Sequence, residues 1–249
     1  MTFAPTGESQ GQPWAAPAGS LPQEFATADG PIGFHEVEQL ALASLKDAST
    51  TATCVSAWLR GACPIEEIYL HGITGAARLL GQWWVSDRIS FSDVTVGASR
   101  LHRMLYELSP VFLADAEPPQ DATVLLLAEP GSQHTMGLFM LSEFFRRAGW
   151  RTLLEQPTSA SDTMRTVSSH WLDVVTLSVS SDRHWDALQT LVRQLRHHSS
   201  NPDLQIIAGG PMALLNEAAL LDLGVDWIGT DAKATVWRAR QEMQRPPNS

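Results

Sequence analysis

The stretch Glu129-Pro130-Gly131-Ser132-Gln133-His134-Thr135-Met136-Gly137 follows a short apolar run and leads straight into a helical pattern. At the carboxyl end of a strand, such a loop projects the His134 imidazole away from the sheet. Gly137, three residues on, lets a bulky ligand approach the backbone. A neutral imidazole is a good transition-metal ligand. For these residues alone, a loop histidine that satisfies only nearby backbone groups is the plainer alternative. Other candidates carry less chemistry. His197-His198 ends a helical stretch, where positive charge suits the helix dipole, and reads as structural. Arg146, Arg147 and Arg151 read as a solvated face, with a partner site as the alternative. Cys54 and Cys63 lie in a helical region without metal-site spacing and suit a reducing cytoplasm.

The elements that must position His134 follow from periodicity. Residues 1–32 are rich in Pro, Gly, Ala, Ser and Gln and predict a flexible tail. Residues 33–112 predict a four-helix bundle. Phe34, Val37, Leu40, Ala41 and Leu45 recur at helical spacing. A short second helix carries Val55, Trp58 and Leu59, and a third starts at Pro64 and runs to Trp83 and Trp84. A fourth begins at Ser90 or Ser92 and continues through Leu108. Residues 113–120, with two prolines, predict an interdomain linker. From 121 to 249 the chain alternates. Apolar runs at 123–128, 152–155, 174–179, 204–208 and 227–229 are separated by helical stretches at 138–148, 161–171, 182–197 and 212–223, and a last helix covers 233–243. Five such units make an α/β domain with a doubly wound, parallel, five-stranded, flavodoxin-like sheet, whose ligands bind at the carboxyl ends of the strands.

The order of the motifs along this second domain resembles the cobalamin-binding domain shared by methionine synthase, corrinoid mutases and corrinoid photoreceptors. That family carries Asp-x-His-x-x-Gly after its first strand, Ser-x-Leu after the third and Gly-Gly after the fourth. Here His134 and Gly137 match the first motif, Ser178-Val179-Ser180 stands for the second, and Gly209-Gly210 for the third. The resemblance implies that His134 is the axial ligand to cobalt, replacing the cofactor's own nucleotide base, within the loop Ser132, Gln133, Thr135 and Met136. It further implies that the displaced nucleotide tail lies beside Ser178 and Ser180, with Gly209 and Gly210 leaving room. The loop of Gly229, Thr230 and Asp231 closes the far side. Two departures bear on activity. Ser132 stands where the family has Asp, so the carboxylate that would fix the tautomer of a metal-bound histidine is missing. Ser180 stands where the family has Leu. Both weigh against methyl-transfer catalysis more than against binding.

The bundle carries a second resemblance. Leu80-Gly81-Gln82-Trp83-Trp84-Val85-Ser86-Asp87 followed by Phe91-Ser92-Asp93-Val94-Thr95-Val96-Gly97 looks like the helical cap over the corrin in these proteins. With 130–135 and 143–150 it is most similar to the AerR/PpaA antirepressors of photosynthetic purple bacteria. The expectation is then a non-enzymatic, light- or redox-responsive transcriptional regulator that binds cobalamin and acts through a DNA-binding repressor. Trp83 and Trp84 are expected at the upper face or in interdomain packing. A crowded upper face would favour hydroxo- or aquocobalamin over the adenosyl form. His71, His102 or solvent would supply the upper ligand, with His35 a weaker candidate.

Charge agrees with an indirect role. With 17 Lys and Arg against 27 Asp and Glu, the net charge of −10 disfavours tight direct binding to nucleic acid, which rests on neutralised phosphates. No apolar run is long enough to span a bilayer and the N-terminus has no signal-peptide pattern, so the expected location is cytoplasmic. Two other functions fit the same histidine: a corrinoid methyl carrier of a methyltransferase system, and a haem-binding sensor.

Overall fold

The computed structural model describes residues 31–128, 135–155, 160–180 and 185–244. Four helical rods come first. Helix α1 (Phe34–Lys46) starts where the Gly33 amide donates to Glu36 Oε2 at 3.1 Å, and it buries Val37, Leu40 and Ala41. Asp47 accepts from the Thr50 amide at 2.7 Å and so restarts the chain as α2 (Ala48–Arg60). This cap makes the second helix longer than its apolar spacing predicts. Helix α3 (Ile65–Glu67) passes without a break into a π-helical turn (Ile68–Ile73) and then α4 (Thr74–Val85). Helix α5 (Phe91–Phe112) is capped by Ser90, not Ser92. The Asp93 amide donates to Ser90 Oγ at 3.1 Å, and the Ser90 amide donates back to Asp93 Oδ2 at 3.0 Å.

Alternation of strand and helix then gives β1 (Thr123–Ala128), α6 (Met136–Arg147), β2 (Arg151–Glu155), α7 (Ala160–Ser169), β3 (Val174–Ser178), α8 (Trp185–His198), β4 (Gln205–Gly209), α9 (Pro211–Leu215), α10 (Glu217–Asp222), β5 (Trp227–Ile228) and α11 (Ala232–Met243). The five strands are parallel, in the order β2-β1-β3-β4-β5. The α/β class, the N-terminal helices and the five-stranded parallel sheet therefore stand as expected. The single helix expected over 212–223 is divided. Asn216 leaves helical geometry and its side-chain amide donates to the Met212 carbonyl at 2.9 Å, the local competition that asparagine offers a helix.

Side-chain alternation sorts the strands onto two cores. Val124, Leu126, Val174 and Ile207 face α6, α11 and the bundle. Leu125, Leu127, Val175, Leu177 and Ile206 face α7, α8 and α10. The bundle and one face of the sheet thus share a continuous core. Tyr69 of the π turn joins them: its ring stacks on Phe112 at 4.3 Å, meets Phe144 of α6 edge-on at 6.3 Å, and its hydroxyl donates to the Leu105 carbonyl at 3.1 Å. Burial, then the nearby Glu143 charge, raises the Tyr69 phenol far above its ordinary range. Residues 113–120 are tied down rather than free. The Glu117 amide donates to the Arg147 carbonyl and the Gln120 amide to the Gly149 carbonyl, both at 2.8 Å. Gly149 adopts φ +79°, and a Cβ there would collide with the Pro118 carbonyl.

Candidate functional site

Between the strand ends and the bundle lies a cavity of about 1110 Å³. Strand register builds its mouth. Ala128, Ser178 and Gly209 lie side by side across β1, β3 and β4, a row of small residues at the carboxyl ends. The next row inward is Leu126, Thr176 and Ile207, which point to the same face. Because the strand order reverses at β1 and β3, the crevice opens at the position where doubly wound sheets bind ligands.

The glycines at this end serve different purposes. A Cβ on Gly137, the second residue of α6, would meet nothing within 4 Å, so the space beside it is open. At Gly209 it would meet only the Gly229 carbonyl oxygen at an ordinary 3.6 Å. Gly210 has φ +100° and its Cβ would lie 2.7 Å from the Val179 carbonyl oxygen, so the backbone itself requires glycine there. A Cβ on Gly229 would lie 2.5 Å from Thr235 Oγ1.

The expected site residues divide accordingly. Ser132, Gln133 and His134 lie outside the described residues. Gly137, Ser178, Gly209, Gly210, Gly229 and Thr230 all line the cavity. Thr135 precedes α6, its carbonyl accepting from the Phe139 amide, and Met136 packs against the core. Ser180, Thr135 and Met136 are not part of the lining.

Neither Trp83 nor Trp84 reaches the cavity. Trp83 is in the bundle core with the Arg88 guanidinium 5.0 Å over its ring, and Trp84 is half-buried against Phe91 at 5.9 Å. The helix face that lines the cavity carries Glu67, His71, Thr74 and Arg78, and both tryptophans fall off that stripe. The two bundle histidines are separated as well. His71 lines the cavity with its side chain 42% exposed and Nε2 3.5 Å from Glu67 Oε2. His102 is outside the lining. It stacks on Tyr106 at 5.0 Å, Nε2 is buried without a hydrogen-bond partner, and burial lowers its pKa. His35 pairs with Gln39 on the exposed face of α1, and His197 and His198 meet ring to ring at the end of α8.

Of the three arginines, Arg146 and Arg151 are exposed as expected and only Arg147 is less solvent-bound than sequence predicts. Arg147 is half-buried at the cavity wall, 3.6 Å from both Glu66 and Asp115, and donates to the Phe112 carbonyl at 2.6 Å. Glu66 also meets Lys233 of α11 at 2.6 Å, and Arg240 pairs with Glu117. These pairs clasp the bundle and the link to α6 and α11. Sequence reading also missed Thr176 and Val236, which line the inner cavity. Thr176 shares strand parity with Ser178, and that signal was available.

Among the described residues no three His, Cys, Asp or Glu side chains gather to hold a metal ion. A metal that brings its own equatorial ligands needs only an axial donor from the protein. The open space at Gly137, the row of small residues at the mouth and the partnerless Thr176 hydroxyl suit a corrinoid with a displaced tail.

Comparisons with known proteins point the same way. The family model of the B12 binding domain matches residues 122–236. The uncharacterized 20.5 kDa protein of the bchF-crtJ intergenic region of Rhodobacter capsulatus is 31% identical over 174 residues, covering 70% of this chain and 90% of that protein. The structure of the monomethylamine corrinoid protein of Methanosarcina barkeri superposes with a TM-score of 0.72 at 12% identity, covering 84% of this chain and 97% of that one, a likeness of fold.

Proposed function

This chain belongs to the AerR-like family of cobalamin-binding proteins, and we propose that it is a light- or redox-responsive regulator that acts through a DNA-binding repressor. The observation that carries this reading is the cavity shared by two bodies. Strand ends and α6 form one wall, and the π turn and α4 of the bundle form the other. A ligand seated there touches both, so its binding energy differs between arrangements of the bundle, and that difference is what shifts a conformational population.

In this reading His134 would be the residue that holds the cobalt of the corrinoid. The described part of the site supplies the rest. Gly137 admits the macrocycle, and Ser178 and Gly209 border the slot for the tail. His71 is the imidazole that lines the cavity from the bundle among the described residues. A bound corrinoid would supply a chemistry that responds to light and oxidation state, and His71 would be the bundle side chain placed to respond to it; hydroxocobalamin is the form proposed to be preferred over the adenosyl form. Glu66, Arg147 and Lys233 join the bundle to α6 and α11 at the rim of the same cavity, so a ligand that moves α3 or α4 strains those pairs. A coupling of about 1–3 kcal/mol is the scale of such linkage.

The acidic charge agrees with a protein partner rather than DNA. The test is a gel shift of a candidate repressor on its promoter, with this protein added, with and without hydroxocobalamin, in light and dark. A cobalamin-dependent change that requires the repressor is expected. A strong shift by this protein alone, or indifference to cobalamin, overturns the regulatory reading. A methylated corrinoid that passes its methyl group to an acceptor with a methyltransferase present would replace it with the carrier function.

A further inference from the structure

Strand order places β2 (Arg151–Glu155) at one edge of the sheet. Its register against β1 runs without a bulge over the whole strand, and no proline interrupts it. The Arg151 amide donates inward to the Ala122 carbonyl at 2.9 Å, so by strand alternation the amides and carbonyls of Thr152 and Leu154 point away from β1. Among the described residues nothing meets those groups. Leu154 shares the parity of Leu126, on the face that carries α6, yet remains 43% exposed. The other edge strand, β5, spans only Trp227–Ile228, too short to template a ladder. An open edge is ordinarily blunted by a bulge, a proline or a lysine, and β2 has none of these.

The charges select the occupant. Arg151 stands at one end of β2 and Glu155 at the other, evenly placed about Leu153. When a second copy pairs antiparallel about Leu153, Arg151 lies opposite Glu155 at both ends and Thr152 lies opposite Leu154. Thr152 and Leu154 are the residues whose backbone groups point outward, so each such pair exchanges both of its N–H···O=C bonds, and Leu153 meets Leu153 at a non-hydrogen-bonded position where side chains come close. In-register parallel pairing would set Arg151 beside Arg151 and Glu155 beside Glu155, which is unfavourable. Among the described residues Arg151 has no ion pair to give up. Glu155 uses one carboxylate oxygen to accept from the Thr166 hydroxyl. We propose that β2 is a self-docking edge, through which two copies of this chain pair antiparallel into one continuous sheet. The inference does not depend on what fills the cavity.

Sedimentation velocity of the full chain over a range of concentrations tests this. Wild type is expected to pass from monomer to dimer as concentration rises. Arg151→Glu and Glu155→Arg each set like charges opposite one another at both ends, and each is expected to weaken self-association about tenfold or more. An equimolar mixture of the two variants restores both ion pairs between unlike copies and is expected to dimerise as wild type does, as is the chain carrying both changes. Leu154→Pro removes an outward donor without touching the bonds to β1, which an edge strand tolerates, and is expected to weaken the dimer as well. Thermal melts of every variant separate loss of pairing from loss of fold. Arg151→Glu and Leu154→Pro leave the Thr166 contact of Glu155 untouched, so they decide the matter should Glu155→Arg melt low. Wild type that stays monomeric at every concentration overturns the proposal. So does a dimer that Arg151→Glu and Leu154→Pro leave intact, or a mixture of folded charge variants that fails to pair.

Discussion

Gly137 separates a role in folding from a role in binding, because the ligand-free chain leaves room for a side chain there. An ideal Cβ at this position meets no atom within 4 Å. It is the second residue of α6, so Gly137→Ala removes backbone freedom from the unfolded chain without a clash. The gain from Gly to Ala in a helix is about 0.5–1 kcal/mol and less in the first turn. For a chain of this size that raises Tm by about 1–4 °C. Binding moves the other way. If the corrin lies against this backbone, a methyl group intrudes on it, and overpacking of that kind costs about 1–3 kcal/mol, or roughly 5- to 150-fold in Kd. Gly137→Val should cost more. The control is Gly229→Ala, whose Cβ would lie 2.5 Å from Thr235 Oγ1, with Thr235 itself buried. That variant should lose about 1–3 kcal/mol of ligand-free stability. Thermal melts without ligand and titrations with hydroxocobalamin measure the two axes separately. Hydroxocobalamin affinity unchanged in both Gly137 variants refutes the placement of the ligand against α6.

Three further outcomes follow from the same geometry. His134→Ala should abolish the spectrum of histidine-ligated corrinoid and weaken hydroxocobalamin binding strongly; an unchanged spectrum and affinity remove His134 from the site. Burial lowers the pKa of His102 below its ordinary 6.5, so the unfolded chain takes up a proton that the folded chain resists. Stability is therefore complete above about pH 6.5 and falls as pH drops from there toward the folded pKa, with a slope of at most about 1.4 kcal/mol per pH unit. Urea titrations at several pH values should show a shallower fall for His102→Gln, and identical profiles count against the burial argument. Gly149→Ala faces both φ +79° and the Pro118 carbonyl, so a loss of about 2 kcal/mol or more is expected; a wild-type melting curve would show that residues 113–120 are not held against α6 as described.

Much of the α/β domain was legible because its signals are local. The run 123–128 is strand β1 to the residue, and Gly209-Gly210 ends β4 where a strand must give way to a turn. Helix α2 was underestimated because its N-cap, Asp47, stands outside the apolar pattern. Arg147 read as solvated because its charge is visible in sequence, whereas its partners Glu66, Asp115 and the Phe112 carbonyl are at least 32 positions away.

The placement of the bundle residues shows why spacing alone falls short. The π turn at Ile68–Ile73 adds a residue to one turn of a helix that otherwise repeats every 3.6 residues. Everything after it is rotated by about 100° from the uninterrupted count. Tight packing accompanies that turn: a Cβ on Gly72 would lie 2.6 Å from the Trp58 ring, and the Thr74 hydroxyl donates to the Tyr69 carbonyl at 3.0 Å, five residues back. The phase set there presents His71, Thr74 and Arg78 to the cavity and sends Trp83 into the core. Sequence weighed His71 and His102 equally, since both are lone histidines on bundle helices, and no local pattern reports a π turn. Thr176 is a different kind of omission. Its parity with Ser178 was readable, but its lack of a partner depends on Leu126 and Ile207 in neighbouring strands, about 50 and 31 positions away, so only the assembled sheet exposes it.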